Sequence, residues 1–460
     1  MSTTTQTIEL QTNAKAYRAG DPRTATMEST DHINRPSSAD DEVHSHLQPN
    51  YTTAIPDGGY GWTVIASCSI MTFWYNGLSG SWGVIQTALL STSLTNTPTA
   101  TITFVGSLYL CLSVALGIFG VRLISYLGAR WTSTLGVALL GVGEVGASFS
   151  TGSIGGLFST CSLVVGAGCC LIYTISNSVP PQYFSRRLGL ANGLVKGGGG
   201  IGATVLSIGL QALIDRVGTS WMFRVLGLAT LLTGLPAAWL VKERQPFSKR
   251  KLIDLSLFGS VPFSALFVSS ALGTFALFIP PFFLPLFAQS AGRSAQTGAA
   301  LVAGFNACTT IGRTLAGPLC DRAGPTNTFL LTMSLNALSM LAIWPVAGGN
   351  LGVLILFAIL NGVANGAFFV VLPTAVAKVA GPGREAVAMS VNTTGWMVGY
   401  LLGTPIAGIL LQASGGADGE NTDVQMYRPA IFYAGGVALL SAASVLVARL
   451  SLAKDLKMKV

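Results

Sequence analysis

The stretch Gly304–Pro325, GFNACTTIGRTLAGPLCDRAGP, is an apolar run that carries Arg313 near its middle and ends in a charged turn. A run of this length and hydropathy can cross a bilayer. An arginine at membrane depth is costly unless protein or a watery cavity surrounds it. We therefore predict a membrane-spanning helix whose Arg313 faces the interior of the protein and marks a functional site.

The composition extends this prediction to the whole chain. Half of the 460 residues are hydrophobic and only 10% are charged, against about a quarter in soluble proteins. Apolar runs of about 20 residues recur along the sequence. We therefore expect an all-α membrane protein with twelve transmembrane helices. The expected spans are residues 60–82, 99–121, 131–150, 154–177, 188–212, 220–241, 257–287, 297–319, 326–347, 351–375, 387–412 and 429–451.

The basic residues indicate the topology. Most follow even-numbered spans, whereas the loops after odd spans hold only Arg216, Arg293 and Arg428. The positive-inside bias then places both termini in the cytoplasm. The expected layout is a disordered cytoplasmic tail (1–55), a six-helix bundle (56–241), a cytoplasmic linker (242–256), a second six-helix bundle (257–452) and a cytoplasmic tail (453–460).

The two predicted bundles repeat each other. The segment Val121–Arg130 aligns with Gly317–Thr326 at an offset of 196 residues, and Arg187–Gly202 aligns with Arg384–Gly399 at an offset of 197. Paired halves of this kind place a substrate site between them, near the middle of the membrane, and expose it alternately to the two sides.

Three motifs carry a resemblance to a known family. They are Pro56–Trp62 (PDGGYGW), Tyr183–Gly193 (YFSRRLGLANG) with the glycines that follow to Gly202, and the turn Gly317–Pro325. In this order they resemble the monocarboxylate transporter family of the major facilitator superfamily, over about residues 54–452. The short central loop is more similar to fungal members. The resemblance implies the major facilitator fold and transport by alternating access.

Other positions depart from the pattern of that family. The first-half turn has Ser125 where the second half has Asp321. Proton-coupled members carry a first-span lysine where this chain has Gly80, and an eighth-span aspartate where it has Thr309. Only Arg313 matches this set, so the resemblance does not imply proton–monocarboxylate symport here.

The residues predicted to bind substrate are polar, charged or aromatic positions inside spans. Arg313 can hold a carboxylate through two parallel hydrogen bonds, or it can snorkel to the nearby surface. Lys196 can bind an anion or carry a proton, or it can pair with Glu144. The further candidates are helix–helix contacts in the alternative interpretation. They are Asn306, Asn76, Asn392, Trp396 and Tyr400 first, then Tyr75, Tyr173, Asn177, Asn361 and Asn365.

Two other groups of residues suggest coupling and gating. Glu144 is the one carboxylate well inside a predicted span, which makes it a proton-coupling candidate. The alternatives are a structural ion pair and a protonated, packed glutamate. Charged residues at the cytoplasmic ends are predicted to latch the halves together, with solvated loop charge as the alternative. These gating candidates are Asp321, Arg322, Arg130 and Arg384.

These patterns exclude several classes of protein. We see no catalytic triad, phosphate-binding loop or metal cluster, and all three histidines lie before residue 47. We expect no enzyme activity, cofactor, metal or nucleic-acid partner, but a monomer in the lipid bilayer with a small-molecule substrate and H+ as a candidate co-substrate. The plasma membrane is the default location and the vacuolar membrane the alternative.

The predicted function is secondary active transport of a small, monocarboxylate-like organic anion or metabolite. Two intramembrane cations, Arg313 and Lys196, against one intramembrane acid favour an anion. The resemblance also allows export of a fungal secondary metabolite or transport of a riboflavin-like compound. A nutrient sensor that does not transport is a further alternative, although the short N-terminal tail does not favour it.

Overall fold

The computed structural model describes residues 57–184, 187–245, 254–348, 350–381, 384–415 and 424–453. This part of the chain is helical throughout, with short connections and no strand. The expected tail 1–55, most of the linker 242–256 and all but the first residue of the tail 453–460 lie outside the described residues. The all-α prediction is confirmed.

The helices follow one another with short breaks. We number them α1 (Gly61–Thr92), α2 (Thr99–Ala115), α3 (Gly117–Ala147), α4 (Val165–Ser178), α5 (Leu188–Trp239), α6 (Val261–Leu277), α7 (Ile279–Ser290), α8 (Ala295–Ala323), α9 (Pro325–Leu338), α10 (Leu351–Ala380), α11 (Glu385–Ala413) and α12 (Arg428–Leu452). A helical turn, Ile154–Leu157, and a π-helical segment, Phe158–Val164, precede α4, and a second π-helical segment, Ser339–Ile343, extends α9.

Within the described residues, seven helical segments are long and apolar enough to cross a membrane, or eight if α2 and α3, bent by 67° at their junction, form one span. Neither α1 nor α8 is among the seven, because polar side chains interrupt their apolar runs. Backbone breaks at Gly128 and Gly218 divide α3 and α5 into two segments each. These breaks coincide with expected loops, and the full count of twelve spans stays a prediction.

Positive backbone angles recur at the interval of the sequence repeat. Gly128 (φ 80°) and Gly324 (φ 89°) are 196 residues apart, and Gly218 (φ 78°) and Gly415 (φ 84°) are 197 apart. Side chains with a Cβ rarely adopt this left-handed region, which glycine reaches at little cost. The same turn geometry therefore recurs in both halves, which supports the internal repeat.

Helices α6 and α7 are separated at Phe278, two residues before Pro280, which has no backbone N–H to donate to a continuous helix.

The seven cysteines are free, and all except the half-buried Cys308 are buried. They pack as small apolar side chains.

The halves meet mainly along two pairs of helices, and α1 also packs against α7 and α8. One seam joins α5 to α8, and the other joins α2 to α11. Under the repeat α2 corresponds to α8 and α5 to α11, so the two seams are equivalent positions of a duplicated bundle. A site between the halves must lie between these seams.

Candidate functional site

Two of the motifs that carry the family resemblance pack against each other. The Asp57 backbone N–H donates to the Tyr183 carbonyl (3.0 Å), and the Arg187 N–H donates to Asp57 Oδ1 (3.2 Å). The rings of Trp62 and Phe184 meet edge to face at 4.8 Å. These motifs therefore join the beginnings of α1 and α5, which fixes the helices that carry Asn76 and Lys196.

Arg313 lies on α8 at the α5–α8 seam. Its Nη1 donates to the backbone carbonyl of Lys196 (3.2 Å), and its guanidinium carbon lies 5.3 Å from the centre of the Phe369 ring. Its buried Nε has no hydrogen-bond partner in the described part of the chain. Because Arg313 contacts α5 and α10, the contacts favour an interior position over snorkelling.

Lys196 lies across the same seam on α5. Its Nζ donates to Asn177 Oδ1 (2.8 Å) and lies 5.3 Å from the centre of the Tyr173 ring. The expected alternative, an ion pair with Glu144, is wrong: both carboxylate oxygens of Glu144 lack a hydrogen-bond partner among the described residues. The Lys196 ammonium thus has an amide and an aromatic ring around it instead of an acid.

Further aromatic rings pack next to the ring that lies beside each cation. Tyr173 meets Tyr75 (6.3 Å between ring centres) on the Lys196 side. On the Arg313 side, Phe369 meets Trp396 (5.9 Å), and Trp396 meets Tyr400 (6.0 Å). Tyr75 and Tyr400 both lie within electrostatic range of Arg313. We call these five residues the aromatic arc.

The residue that the sequence failed to indicate is Phe369, because a phenylalanine in the apolar helix α10 looks like any lipid-facing or packing residue. Its position over Arg313 is decided by tertiary packing alone. The signal that identified Trp396 and Tyr400 was their aromatic and polar character inside an apolar span, and with Asn392 they share one face of α11. Both side-chain polar atoms of Asn392 and the Trp396 Nε1 are buried without a partner among the described residues.

Asn306 has a packing role. Its Nδ2 donates to the Gly80 carbonyl (3.0 Å) and to Ser207 Oγ (3.2 Å). A side chain at Gly80 would collide with Ala203 and Asn306. Close packing of α1 against α5 and α8 therefore fills the position where the resemblance would place a lysine, and the hydrogen bonds of Asn306 join these helices.

The remaining amide candidates also contact helices. Asn76 packs directly against Gly199. Asn361 Nδ2 donates to Ser339 Oγ (2.9 Å), and Asn365 Nδ2 donates to the Leu277 carbonyl (2.6 Å). For Asn361 and Asn365 these contacts match the helix–helix alternative.

Glu144 lies apart from the two cations. It is 1% exposed and sits on α3 beside Cys161 and Cys169. This position is inside the first bundle, away from the α5–α8 seam. The structure therefore does not bring Glu144 together with Lys196 and Arg313.

The gating candidates lie at one end of the bundle. Asp321 and Arg322 are exposed at the end of α8, and Arg384 is exposed before α11. The guanidinium of Arg130 lies 5.3 Å from the centre of the Trp239 ring in its own half. We call this the Arg322 end of the bundle and the opposite one the Asp215 end.

The α5–α8 seam is closed at the Asp215 end and in the middle. Gln296 Nε2 donates to Asp215 Oδ2 (2.9 Å), and further along the seam Gly200 lies directly against Thr310. The next positions on the same faces, Gly193 and Gly317, have no neighbouring atom of the described residues within 4 Å of a Cβ position. The two helices are therefore less closely packed beyond Arg313 than at Gly200 and Thr310.

Comparisons with known proteins agree with this architecture. The family model described as Major Facilitator Superfamily matches residues 63–310 and 266–457. The chain is 26% identical to the aspyridones efflux protein apdF of Emericella nidulans, over 89% of this chain and 83% of that protein. It is 25% identical to human monocarboxylate transporter 10, over 81% of this chain and 76% of that protein.

Among solved structures, a POT family transporter in complex with 5-aminolevulinic acid superimposes with a TM-score of 0.66 at 16% identity, over 83% of this chain and 95% of that one. This likeness shows the fold. The family match covers nearly all of the described residues, and members of this family transport small molecules across membranes. The chain is therefore an integral membrane protein that belongs to the Major Facilitator Superfamily.

Proposed function

We propose that this protein is a secondary transporter of the monocarboxylate porter type that moves an organic anion by alternating access. The observation that carries the proposal is the pair of cations at the α5–α8 seam. Arg313 and Lys196 contact carbonyl, amide and aromatic groups there and no carboxylate among the described residues. An uncompensated positive site in a low-dielectric interior favours an anionic ligand.

The seam also supports a mechanism. Because α5 and α8 touch from Asp215 to Arg313 and are less closely packed at Gly193 and Gly317, we infer that the cations are reached from the Arg322 end. The positive-inside bias assigns this end to the cytoplasm. Closing that end and opening the Asp215 end would move the bound anion across the membrane.

Export of a fungal secondary metabolite is the second candidate. It is favoured by the similarity to the aspyridones efflux protein over most of both chains. The two candidates share the same site and differ in cargo and direction.

The first experiment compares a deletion strain with its parent by metabolomics of cells and medium. A solute that accumulates in the cells of the deletion strain is cargo for export, and one that accumulates in the medium is cargo for import. Proteoliposomes that hold the purified protein should then transport that solute. No transport of any accumulated solute would contradict the proposal.

The site is tested by Arg313→Gln in the same proteoliposomes. We expect transport of the anion to be lost while insertion and folding persist. Arg224→Gln is the matched control, because Arg224 stacks on Phe149 and Trp221 away from the seam. Equal transport rates of both variants would show that Arg313 does not belong to the substrate site.

Proton coupling through Glu144 is tested separately. If protons drive transport, collapsing the pH gradient stops it, and Glu144→Gln abolishes only the pH-driven component. Unchanged pH-driven transport in Glu144→Gln would exclude this carboxylate as the proton carrier.

A further inference from the structure

The central site joins positive charge to aromatic surface, and the combination defines a class of ligand. Arg313 and Lys196 lie at the two ends of the aromatic arc, each 5.3 Å from the centre of one of its rings. The rings belong to both halves, since Tyr75 and Tyr173 lie on α1 and α4, whereas Trp396 and Tyr400 lie on α11. A ligand in this site would therefore contact charge and aromatic rings together.

The polar groups of the site are mainly donors. Arg313 Nε and Trp396 Nε1 are buried without partners among the described residues, and Asn392 one helical turn away adds a third unpartnered donor, Nδ2, and one unpartnered acceptor, Oδ1. A buried donor without a partner costs stability until something accepts its hydrogen bond. The site is therefore suited to a ligand group with several acceptor atoms, such as a carboxylate or an ionised acidic oxygen.

A positively charged group has no comparable place in the site. Aromatic faces can hold a cation, but Tyr173 and Phe369 already have Lys196 and Arg313 beside them. Glu144, the acid inside a predicted span, lies in the α3–α4 packing beside Cys161 and Cys169. An ammonium on the ligand would thus be repelled by two cations without an acid to offset them.

The arc itself favours a flat ligand body. Its rings meet edge to face or tilted, with interplanar angles of 70° for Tyr75–Tyr173, 80° for Phe369–Trp396 and 56° for Trp396–Tyr400. In such packing each ring offers an edge or a face to a neighbouring aromatic group. A planar π-system gains about threefold to tenfold in affinity from each good contact of this kind.

We propose that the site selects organic acids that carry a net negative charge and a flat aromatic or conjugated body, and that it rejects zwitterions. This inference rests on the proposed anion transport and names the class of anion at that same site. It predicts discrimination by the charge and by the body of the ligand independently.

Three probes separate these two requirements. Phenylpyruvate has the acid and the ring, pyruvate has the acid alone, and phenylalanine has the acid and the ring with an added ammonium. Isothermal titration calorimetry on the full-length protein in lipid nanodiscs should show phenylpyruvate binding at least about tenfold more tightly than either of the others. Equal affinity for pyruvate, binding of phenylalanine as tight as that of phenylpyruvate, or no binding of phenylpyruvate at millimolar concentration overturns the proposal.

Two variants assign the discrimination to residues. Trp396→Leu should weaken phenylpyruvate binding about threefold to tenfold more than pyruvate binding, because it removes a ring contact that only phenylpyruvate makes and an Nε1 donor that both acids share. Phe369→Leu provides the same test if the first variant does not fold. Equal weakening of both probes by both variants overturns the role of the arc.

Arg313→Gln distinguishes this proposal from the proposed function. It should weaken phenylpyruvate and pyruvate by the same factor, since both have a carboxylate. If Arg313→Gln leaves both affinities unchanged, anion recognition at Arg313 is wrong. If it weakens both while the probes show no preference for the ring, the anion site stands and the aromatic class fails.

Discussion

The seam between α5 and α8 carries charge and hydrogen bonds, whereas the seam between α2 and α11 is neutral. The first holds Arg313, the Lys196 carbonyl and Asn306. The second is joined by a hydroxyl contact between Ser107 and Thr404 and by close backbone approach of Gly408 to Ala100. The repeat makes the two seams equivalent in position. A duplicated scaffold can therefore keep its packing in both places while only one copy acquires the binding chemistry.

The largest effect is expected from a substitution at the centre of the α5–α8 seam. Arg313→Gln should reduce transport of the anion at least about thirtyfold, since loss of a buried charge partner costs about 2 kcal/mol or more. Ser107→Ala on the neutral seam removes one hydroxyl contact and should change transport less than threefold, about 0.6 kcal/mol. Initial rates in proteoliposomes give both numbers. Similar losses in the two variants would contradict the assignment of chemistry to one seam.

The second effect tests closure of the charged seam. A Cβ at Gly200 would collide with Thr310 across the seam, whereas Gly209 on the same helix has open space around it. Gly200→Ala should slow transport about tenfold, because overpacking costs about 1–3 kcal/mol. Gly209→Ala should keep the wild-type rate, and its melting temperature should not fall. Wild-type transport by Gly200→Ala would show that the halves do not close there.

The third effect concerns stability. Asn306→Leu removes the hydrogen bonds to Gly80 and Ser207, which should lower the free energy of unfolding by about 1 kcal/mol. Asn365→Leu removes a single contact inside one half and serves as the comparison. Thermal unfolding in detergent measures both. An unchanged melting temperature for Asn306→Leu would mean that the seam does not depend on this amide.

The smallest effect lies at the Asp215 end. The exposed carboxylate of Asp215 accepts from Gln211 (2.8 Å) in its own half and from Gln296 (2.9 Å) in the other. Exposed contacts of this kind contribute about 0–1 kcal/mol. Asp215→Ala should therefore widen the distance between spin labels on α5 and α8 at this end in part of the population. Distances identical to the wild type would exclude Asp215 as a latch.

Much of the fold could be predicted from the sequence because lipid imposes a simple pattern. Apolar runs, loop charges and two repeat registers indicated helical halves, and the positive-φ glycines recur at the same offsets. These positive angles recur because glycine lacks a Cβ, a property of the residue itself that does not depend on distant parts of the chain. The break between α6 and α7 at Phe278 is likewise local, because Pro280, two residues later, has no backbone N–H.

The candidate site was predictable only in part. Four of its residues could be recognised because they are polar or aromatic positions in apolar runs: Arg313, Lys196, Trp396 and Tyr400. Their contacts in the structure place them around one region. The alternative partner for Lys196, Glu144, was wrong, because sequence spacing does not show that Glu144 on α3 lies beside Cys161 and Cys169 instead of Lys196.

The sequence by itself therefore determined the membrane-spanning helices, their repeat and the presence of a costly buried cation. Hydropathy, loop charge and the backbone freedom of glycine are properties of single residues or short segments, and they do not depend on the rest of the fold. The tertiary structure alone decided that the Phe369 ring lies beside the Arg313 guanidinium and that Asn306 hydrogen-bonds to the Gly80 carbonyl. It also decided that neighbouring side chains occupy the space where a side chain at Gly80 would lie. Those outcomes depend on how helices far apart in the chain rotate against each other, and no single segment encodes that rotation.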